Sequence, residues 1–458
     1  MGVAINNTSA RSLVFVDNLG NKVTVALTGG GSGDVFFNGT GMAVNIPGPH
    51  STGSELVNGT GLSISNITVN GTTLAGALTI SRKGTALVSL GGLSVNGAIG
   101  RIIAPTTNLT GTLAVTGAVS LLQLASASDA VISVGSAEVT TAGFTFLSGH
   151  VVNTSLTSAI PIKTLRVIDW TVSGTTDAVS APSINSLATT GNFQANLTTS
   201  GALPFAVNSV RIGGQIDAEG WDITGATNSV VVGSIASGWT GIFSQAINGF
   251  TVRGGGFSGS LNAAGISSLS ITGDDTGSIV TGSIRSARIN GQLIGGSITL
   301  TNTVSARVMD LGRLSITGAT LNSTIISAGN IGAITTAGIS QSSVDAGTTG
   351  TTLPTSLGNF DASATISSFS VVGAGSRFTD SSIGAELIGS LNLGVVTTSN
   401  NAIPFGVAAI TINSLSASLD TGGVLRLNRA ALVSTNTIIV YLAAHTETLG
   451  DFEILTGL

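Results

Sequence analysis

Few residues in this chain of 458 have the chemistry for catalysis, and carboxylates come closest. Asp274 and Asp275 adjoin, and Asp217, Glu219 and Asp222 lie close together. Paired carboxylates can serve as acid and base in cutting a glycosidic bond. In a chain built from repeats, such acids should recur one repeat apart. No acid stands about 20 residues from Asp217 or Asp275. His50, His150 and His445 are scattered, without metal-ligand spacing. Cysteine is absent, which excludes disulfides and thiolate metal sites. Gly254 to Gly259 matches the letters of a dinucleotide fingerprint, but that chemistry needs a helix after the turn and none follows. Gly30 to Asp34 approaches a calcium-binding nonapeptide but does not repeat. The expectation is a protein that is not an enzyme and has no cofactor and no metal site.

The elements around these residues are short, apolar and periodic. Asn208-Ser-Val-Arg-Ile-Gly-Gly, Asn228-Ser-Val-Val-Val-Gly-Ser and Asn248-Gly-Phe-Thr-Val-Arg-Gly follow one another 20 residues apart. Later copies begin at Ser268, Ala287, Leu314, Ile334 and Phe369. The steps between leading apolar residues are 20, 20, 19, 18, 27, 20 and 35. A fixed period in this range marks a solenoid. Alternating apolar residues between Gly/Ser turns mark strands, with no helical stripe. The predicted fold is an all-β, right-handed parallel β-helix of about 18–23 residues per coil. The step of 27 implies an insertion. The step of 35 implies nearly two coils with a loop near Gly347–Gly358. Gly214, Gly254, Gly273, Gly291, Gly318, Gly338 and Gly373 each follow the leading apolar residue by four, as expected for a positive-φ corner or a close backbone approach.

Composition agrees. Glycine is 64 of the residues and hydrophobic residues are 42%, too many for a disordered chain. Charged residues are 8%, so Ser, Thr and Asn must cover the solvent face. Net charge is −5 with no basic stripe, which argues against a nucleic-acid partner. The longest apolar run, Ile438 to Ala444, is too short for a membrane helix. The first residues show no visible secretion signal, and Asn6 breaks the myristoylation pattern.

Taken in order, residues 1–60 form an irregular β cap or docking segment, with a hairpin at Leu13–Val16 and Val23–Leu27 and a loop at Pro47-Gly48-Pro49. Residues 61–419 form the solenoid, its pattern blurred from 121 to 160. Residues 420–458 form a second cap or assembly segment containing Leu425–Asn428, Ile438–Leu442 and Asp451–Ile454. Two columns stand out. Asn208, Asn228 and Asn248 are expected to stack as a structural ladder of amides. Trp221, Trp239 and Phe257 are 18 apart and are expected to form an aromatic column, packed inside, with an outward platform for sugar rings as the alternative. Asn38, Asn58, Asn66, Asn108, Asn196 and Asn322 open Asn-x-Ser/Thr sequences that permit glycosylation.

The stretches Ile160–Trp170, Ala181–Phe193, Gly213–Gly233 and Ser268–Gly338 resemble repeats in large secreted proteins of planctomycete bacteria. The resemblance spans roughly 60–440. It implies a β-helical array at the cell exterior with a structural or adhesive role, and it supplies no catalytic residues. The functional expectation is a surface protein that assembles with itself end to end into a filament or layer. The alternatives are an adhesin that binds surface glycans and, ranked lower, a polysaccharide-degrading enzyme. No transmembrane segment is expected.

Overall fold

The computed structural model describes residues 1–5, 12–45, 54–84, 86–135, 143–174, 177–201, 204–217, 219–302, 308–348, 353–360, 363–373, 375–430, 432–435, 442 and 448–458. Pro47–Pro49, Ile438–Tyr441, His50 and His445 lie outside them. The chain is a nearly all-β solenoid of about 16 turns with mostly parallel strands. It divides into two compact units, Met1–Asn228 and Ser229–Leu458. The sequence divisions at 60/61 and 419/420 follow pattern, whereas the division at 228/229 follows contacts.

A coil has three sides. In unit 1 the long strand Ile184–Thr189 leads to a short side at Phe193, then to the four-residue strand Asn196–Thr199, and then to the next long strand, Val207–Ile212. Each side pairs in parallel with the same side of the next coil. Leu187 aligns with Val210, and Leu197 with Trp221. Inward positions such as Leu165, Leu187 and Val210 are buried. Burying a Leu or Val side chain stabilises by about 1.5–3 kcal/mol. The alternation of the sequence therefore translates directly into one packed interior per unit.

Near its start, unit 1 pairs differently. Ser12–Val16 and Lys22–Thr28 form an antiparallel hairpin, as expected. The Asp17 carboxylate closes its turn by accepting the Leu19 and Asn21 N–H groups at 2.9 and 2.8 Å. Lys22–Thr28 also pairs antiparallel with Ala77–Arg82, and Ser32–Asn45 with Glu55–Thr72. Pairing changes at Glu55–Thr72 and at Ala77–Arg82, whose other edges run parallel to Val88–Gly97 and Ile99–Val115. The coils continue through 121–160: Phe144–Leu147 aligns with both Val119–Ser128 and Ile162–Val167. The pattern blurred there because extra residues enter between Val131–Val134 and Phe144–Leu147.

In unit 2 the same three sides recur. Extra residues again enter between the four-residue side and the next long side. Ala287 pairs with Leu314 across the 27-residue step. Ile334 pairs directly with Phe369, so the 35-residue step is one coil with one long insertion, not nearly two coils. The corner glycines after the long side act by close approach. A Cβ on Gly273 would sit 2.7 Å from Gly255 backbone, and one on Gly291 would sit 2.5 Å from Gly273 backbone. Of the seven closing glycines in the sequence pattern, Gly373 has a positive φ, +132°. Unit 2 ends its parallel run at Phe405–Leu419, which pairs antiparallel with Val424–Asn428 and parallel with Phe452–Thr456.

Candidate functional site

The second corner, between the short side and the four-residue side, is where polar chemistry gathers. In unit 2 it is made by Asn322-Ser323-Thr324, Gln341-Ser342-Ser343 and Asp380-Ser381-Ser382 on successive coils. The first residue of each triplet is left-handed, with φ of 50°, 49° and 43°. That conformation is unusual outside glycine and most tolerated by Asn and Asp. It turns the chain sharply, so the first side chain points outward and the serine after it points inward.

The inward serines form a bonded column. Ser323, Ser342 and Ser381 hydroxyls each donate at 2.7 Å to the carbonyl two residues back. Ser342 and Ser381 hydroxyls also accept the N–H of Ser323 and Ser342, at 3.1 and 3.2 Å. Hydroxyls thereby satisfy buried backbone donors that no strand ladder reaches. The outward residues border an open groove of about 460 Å³. Ser343 and Ser382 lie along it, and Leu353 and Pro404 form an apolar border. Asn322 and Gln341 are exposed, and among the described residues their amides have no protein partner. Asp380 accepts a bond from the Asn400 amide at 2.8 Å.

Beside the groove, Thr348 and Pro354 of the insertion after Ala346 lie against Asp345. This carboxyl is fully buried, and Pro354 and Thr348 pack at the same spot over Gly384. Burial pushes it up to about 7, and the neighbouring Ser343 and Thr348 hydroxyls pull weakly the other way. No hydrogen bond closes on either oxygen.

In unit 1 the same corner carries Asp129-Ala130 and Asn153-Thr154, with φ of 52° and 47°. Here the outward side chains bind each other. The Asn153 amide donates to Asp129 at 3.0 Å and to the Ser173 hydroxyl at 2.9 Å. Ser173 N–H donates to the Asn153 carbonyl oxygen at 2.8 Å. One step inward, the buried Asp177 accepts the Thr154 N–H at 2.7 Å and the Trp170 indole N–H at 3.0 Å. Burial raises Asp177, and these two donors partly offset that.

The asparagine ladder lies elsewhere, on the outer surface of the long side. In unit 1 Asn208 donates to Asn185 and Asn228 donates to Asn208, both at 3.0 Å. Asn185, 23 residues before Asn208, extends the ladder beyond the three asparagines of the 20-residue period. These amides are half-exposed or exposed, so they knit the surface rather than satisfy buried groups. Asn248 is exposed and belongs to unit 2.

Trp221, Trp239 and Phe257 are all buried, at 1%, 1% and 0% exposure. They do not share one register, because spacing alone cannot tell which side of a coil a residue occupies. Trp221 aligns with Leu197 on the four-residue side, whereas Phe257 aligns with Ile235 and Asp275 on the short side. In unit 1 the rings of Phe146, Trp170, Phe193 and Trp221 follow one another tilted or edge to face, with centroids 6.4, 5.9 and 6.2 Å apart. In unit 2 Trp239, Phe250 and Phe257 form a triangle with centroid distances of 6.3 to 6.4 Å. Trp239 fills the space a side chain at Gly241 would need, since a Cβ there would lie 2.2 Å from the ring.

The acids do not converge. Asp274 is exposed and accepts the Gln292 N–H at 2.8 Å, while Asp275 points inward and is fully buried. Neighbours on opposite sides of a strand cannot flank one bond. Burial pushes Asp275 up to about 7, with one backbone N–H, from Gly277, lowering it. Glu219 is raised first by burial and then by the negative charges of Asp177 and Asp217. Asp217 accepts the Gln194 amide at 2.8 Å, and Asp222 is exposed. His150 contacts both Asp169 oxygens at 2.9 Å and aligns with Ser126 on its other side. That order resembles a hydrolase relay, but the Ser126 hydroxyl donates to Asn108 at 2.8 Å and its proton is turned away from the imidazole. Among the described residues no group of three His, Asp or Glu could hold a metal ion, and no helix is long and apolar enough to cross a membrane.

No family model, no curated protein and no solved structure matches this chain.

Proposed function

We propose that this β-solenoid is a structural protein of a bacterial surface, not an enzyme, and that copies associate with one another through strands near the two ends of the sequence. The observation that carries this reading is the pairing state of those strands. Gly2–Ile5 pairs with Ser32–Asn45, while Val424–Asn428 and Phe452–Thr456 each pair with Phe405–Leu419. Each has one strand partner among the described residues; Thr435 takes part of the second edge of Phe452–Thr456, so Gly2–Ile5 and Val424–Asn428 are the edges offered to another chain. Contacts between unlike ends do not close, so they propagate. Elsewhere the polar groups are turned to cohesion, as in the serine column of unit 2 and the Asn185–Asn208–Asn228 ladder of unit 1. The exterior location rests on the resemblance of the repeats to secreted planctomycete arrays.

Electron microscopy and sedimentation of the full chain at rising concentration test the reading. Fibres or layers are expected. Val424 is 52% exposed on its edge strand, and Val424→Lys should shorten or abolish them by placing a charge there. A chain that stays monomeric at high concentration ends the proposal.

A further inference from the structure

We infer that unit 2 carries a binding site for a neutral, hydroxyl-rich glycan strand, laid across the groove bordered by Asn322, Gln341 and Asp380. The site does not involve the buried tryptophans.

The first support is the row itself. The two amides and the carboxylate belong to successive coils, and rungs are spaced about 4.8 Å apart. The Asn322 and Gln341 amides have both donors and acceptors to offer, and among the described residues neither has a protein partner. A row of evenly repeated polar groups suits an extended polymer better than a compact molecule. The left-handed backbone that aims these side chains outward is also unfavourable. For a non-glycine residue it costs about 1–2 kcal/mol, and Gln is not among the residues that tolerate it best.

The second support is Ser343. The residue lines the groove, and its hydroxyl is buried beside the Asp345 carboxyl with no hydrogen bond closed between them. The residue is 5% exposed. A buried hydroxyl with no closed bond can turn from Asp345 to an arriving hydroxyl.

The third is the balance of the lining. Leu353 and Pro404 give an apolar border for the C–H face of a sugar ring. No Lys or Arg lines the groove among the described residues, so an acidic polysaccharide would meet Asp380 without any counter-charge. An extended peptide would bind by adding a strand to free backbone groups. Here those groups are occupied. Asn322 and Gln341 N–H donate to the carbonyls of Ser340 and Thr379, and Ser323 and Ser342 N–H donate to serine hydroxyls. Recognition must run through side chains, which favours a sugar chain over a peptide.

Calorimetric titration of the full chain tests this, using hexasaccharides of β-1,4-glucose, β-1,3-glucose and N-acetylglucosamine, with hexagalacturonate and an extended uncharged decapeptide as comparators. At least one neutral hexasaccharide should bind. The double variant Asn322→Gly with Gln341→Gly should weaken it at least tenfold while keeping its circular dichroism and without lowering its melting temperature, since glycine adopts φ near 50° without strain. Failure of all three neutral sugars to bind, preference for the galacturonate or the peptide, or unchanged affinity in the double variant would each overturn the proposal.

Discussion

The two units build the same corner from the same backbone and spend it differently. In unit 1, Asn153 is clamped between Asp129 and Ser173, and the acid beneath it, Asp177, holds two N–H donors. In unit 2, Asn322 and Gln341 reach into a groove, and the buried acids are poorly served. Asp275 has one backbone donor and Asp345 has no closed hydrogen bond. One corner is finished internally, while the other leaves hydrogen-bonding capacity unspent. A left-handed turn therefore does not itself make a site. What matters is whether the side chains it turns outward find each other.

The largest test of that contrast is pH. Asp275 and Asp345 are raised to about 7 by burial in unit 2. A carboxyl whose folded value lies above its unfolded value, near 3.9, binds its proton more tightly when folded. Its contribution is fully present below about 4 and is lost as pH rises through about 7. The full difference corresponds to on the order of 4 kcal/mol for each group. Unit 2 should therefore be clearly more stable at pH 5 than at pH 8. In unit 1 Asp177, Glu219 and Glu55 are raised too, but these three are less deeply buried, and two donors soften the effect at Asp177. Hydrogen exchange at the two pH values reads the units separately. Asp275→Asn keeps the shape and removes one titration, so it should remove a substantial part of the difference in unit 2, leaving that of Asp345 and of Asp310, which burial also raises. Equal protection of unit 2 at both pH values would show that water or relaxation reaches these acids.

Much of the coil was legible in the sequence, and much of the corner was not. Repeated Val-x-Ile and Leu-x-Ile pairs fix which residues face inward, because alternation is geometry. They also placed the hairpin at Leu13–Leu27. Spacing alone could not divide a coil into three sides, so Trp221 and Phe257 were set in one column although they occupy different sides. The insertion after Ala346 hid the fact that Gln341 and Asp380 are neighbours, 39 residues apart along the chain. Yet the signal existed. Asn-Ser-Thr at 322, Gln-Ser-Ser at 341 and Asp-Ser-Ser at 380 share a pattern of one outward polar residue, one inward serine and one more hydroxyl.

A second test compares the buried members of the corners. Asp177→Ala strands the Thr154 N–H and weakens the partnership of the Trp170 indole N–H, which also reaches the Thr154 carbonyl at 3.2 Å. Leaving buried donors unsatisfied should cost about 3 kcal/mol. Ser342→Ala strands one donor, the Ser323 N–H, and should cost about 1–2 kcal/mol. Denaturant melts of the two variants, each followed by exchange within its own unit, measure the difference. If Ser342→Ala proved the costlier, the serine column rather than the acid would be the tighter lock.

The smallest effects discriminate by sign. Gln341 sits at φ 49° with an amide that bonds nothing in the protein among the described residues, so Gln341→Gly removes strain and loses no bond. Glycine also enlarges the freedom of the unfolded chain, which offsets part of the gain. The net change should lie between zero and about 1 kcal/mol of stabilisation. Asn153 sits at φ 47°, but its side chain donates to Asp129 and Ser173 and accepts from the Ser173 N–H. Asn153→Gly gains similar relief, loses those bonds at about 1 kcal/mol each before solvent compensates, and should come out destabilised. Opposite signs at two corners of nearly equal φ would isolate the side-chain network as the variable. The same sign at both would mean that backbone strain governs both corners, and that the free amides of unit 2 are held outward at no expense to the fold.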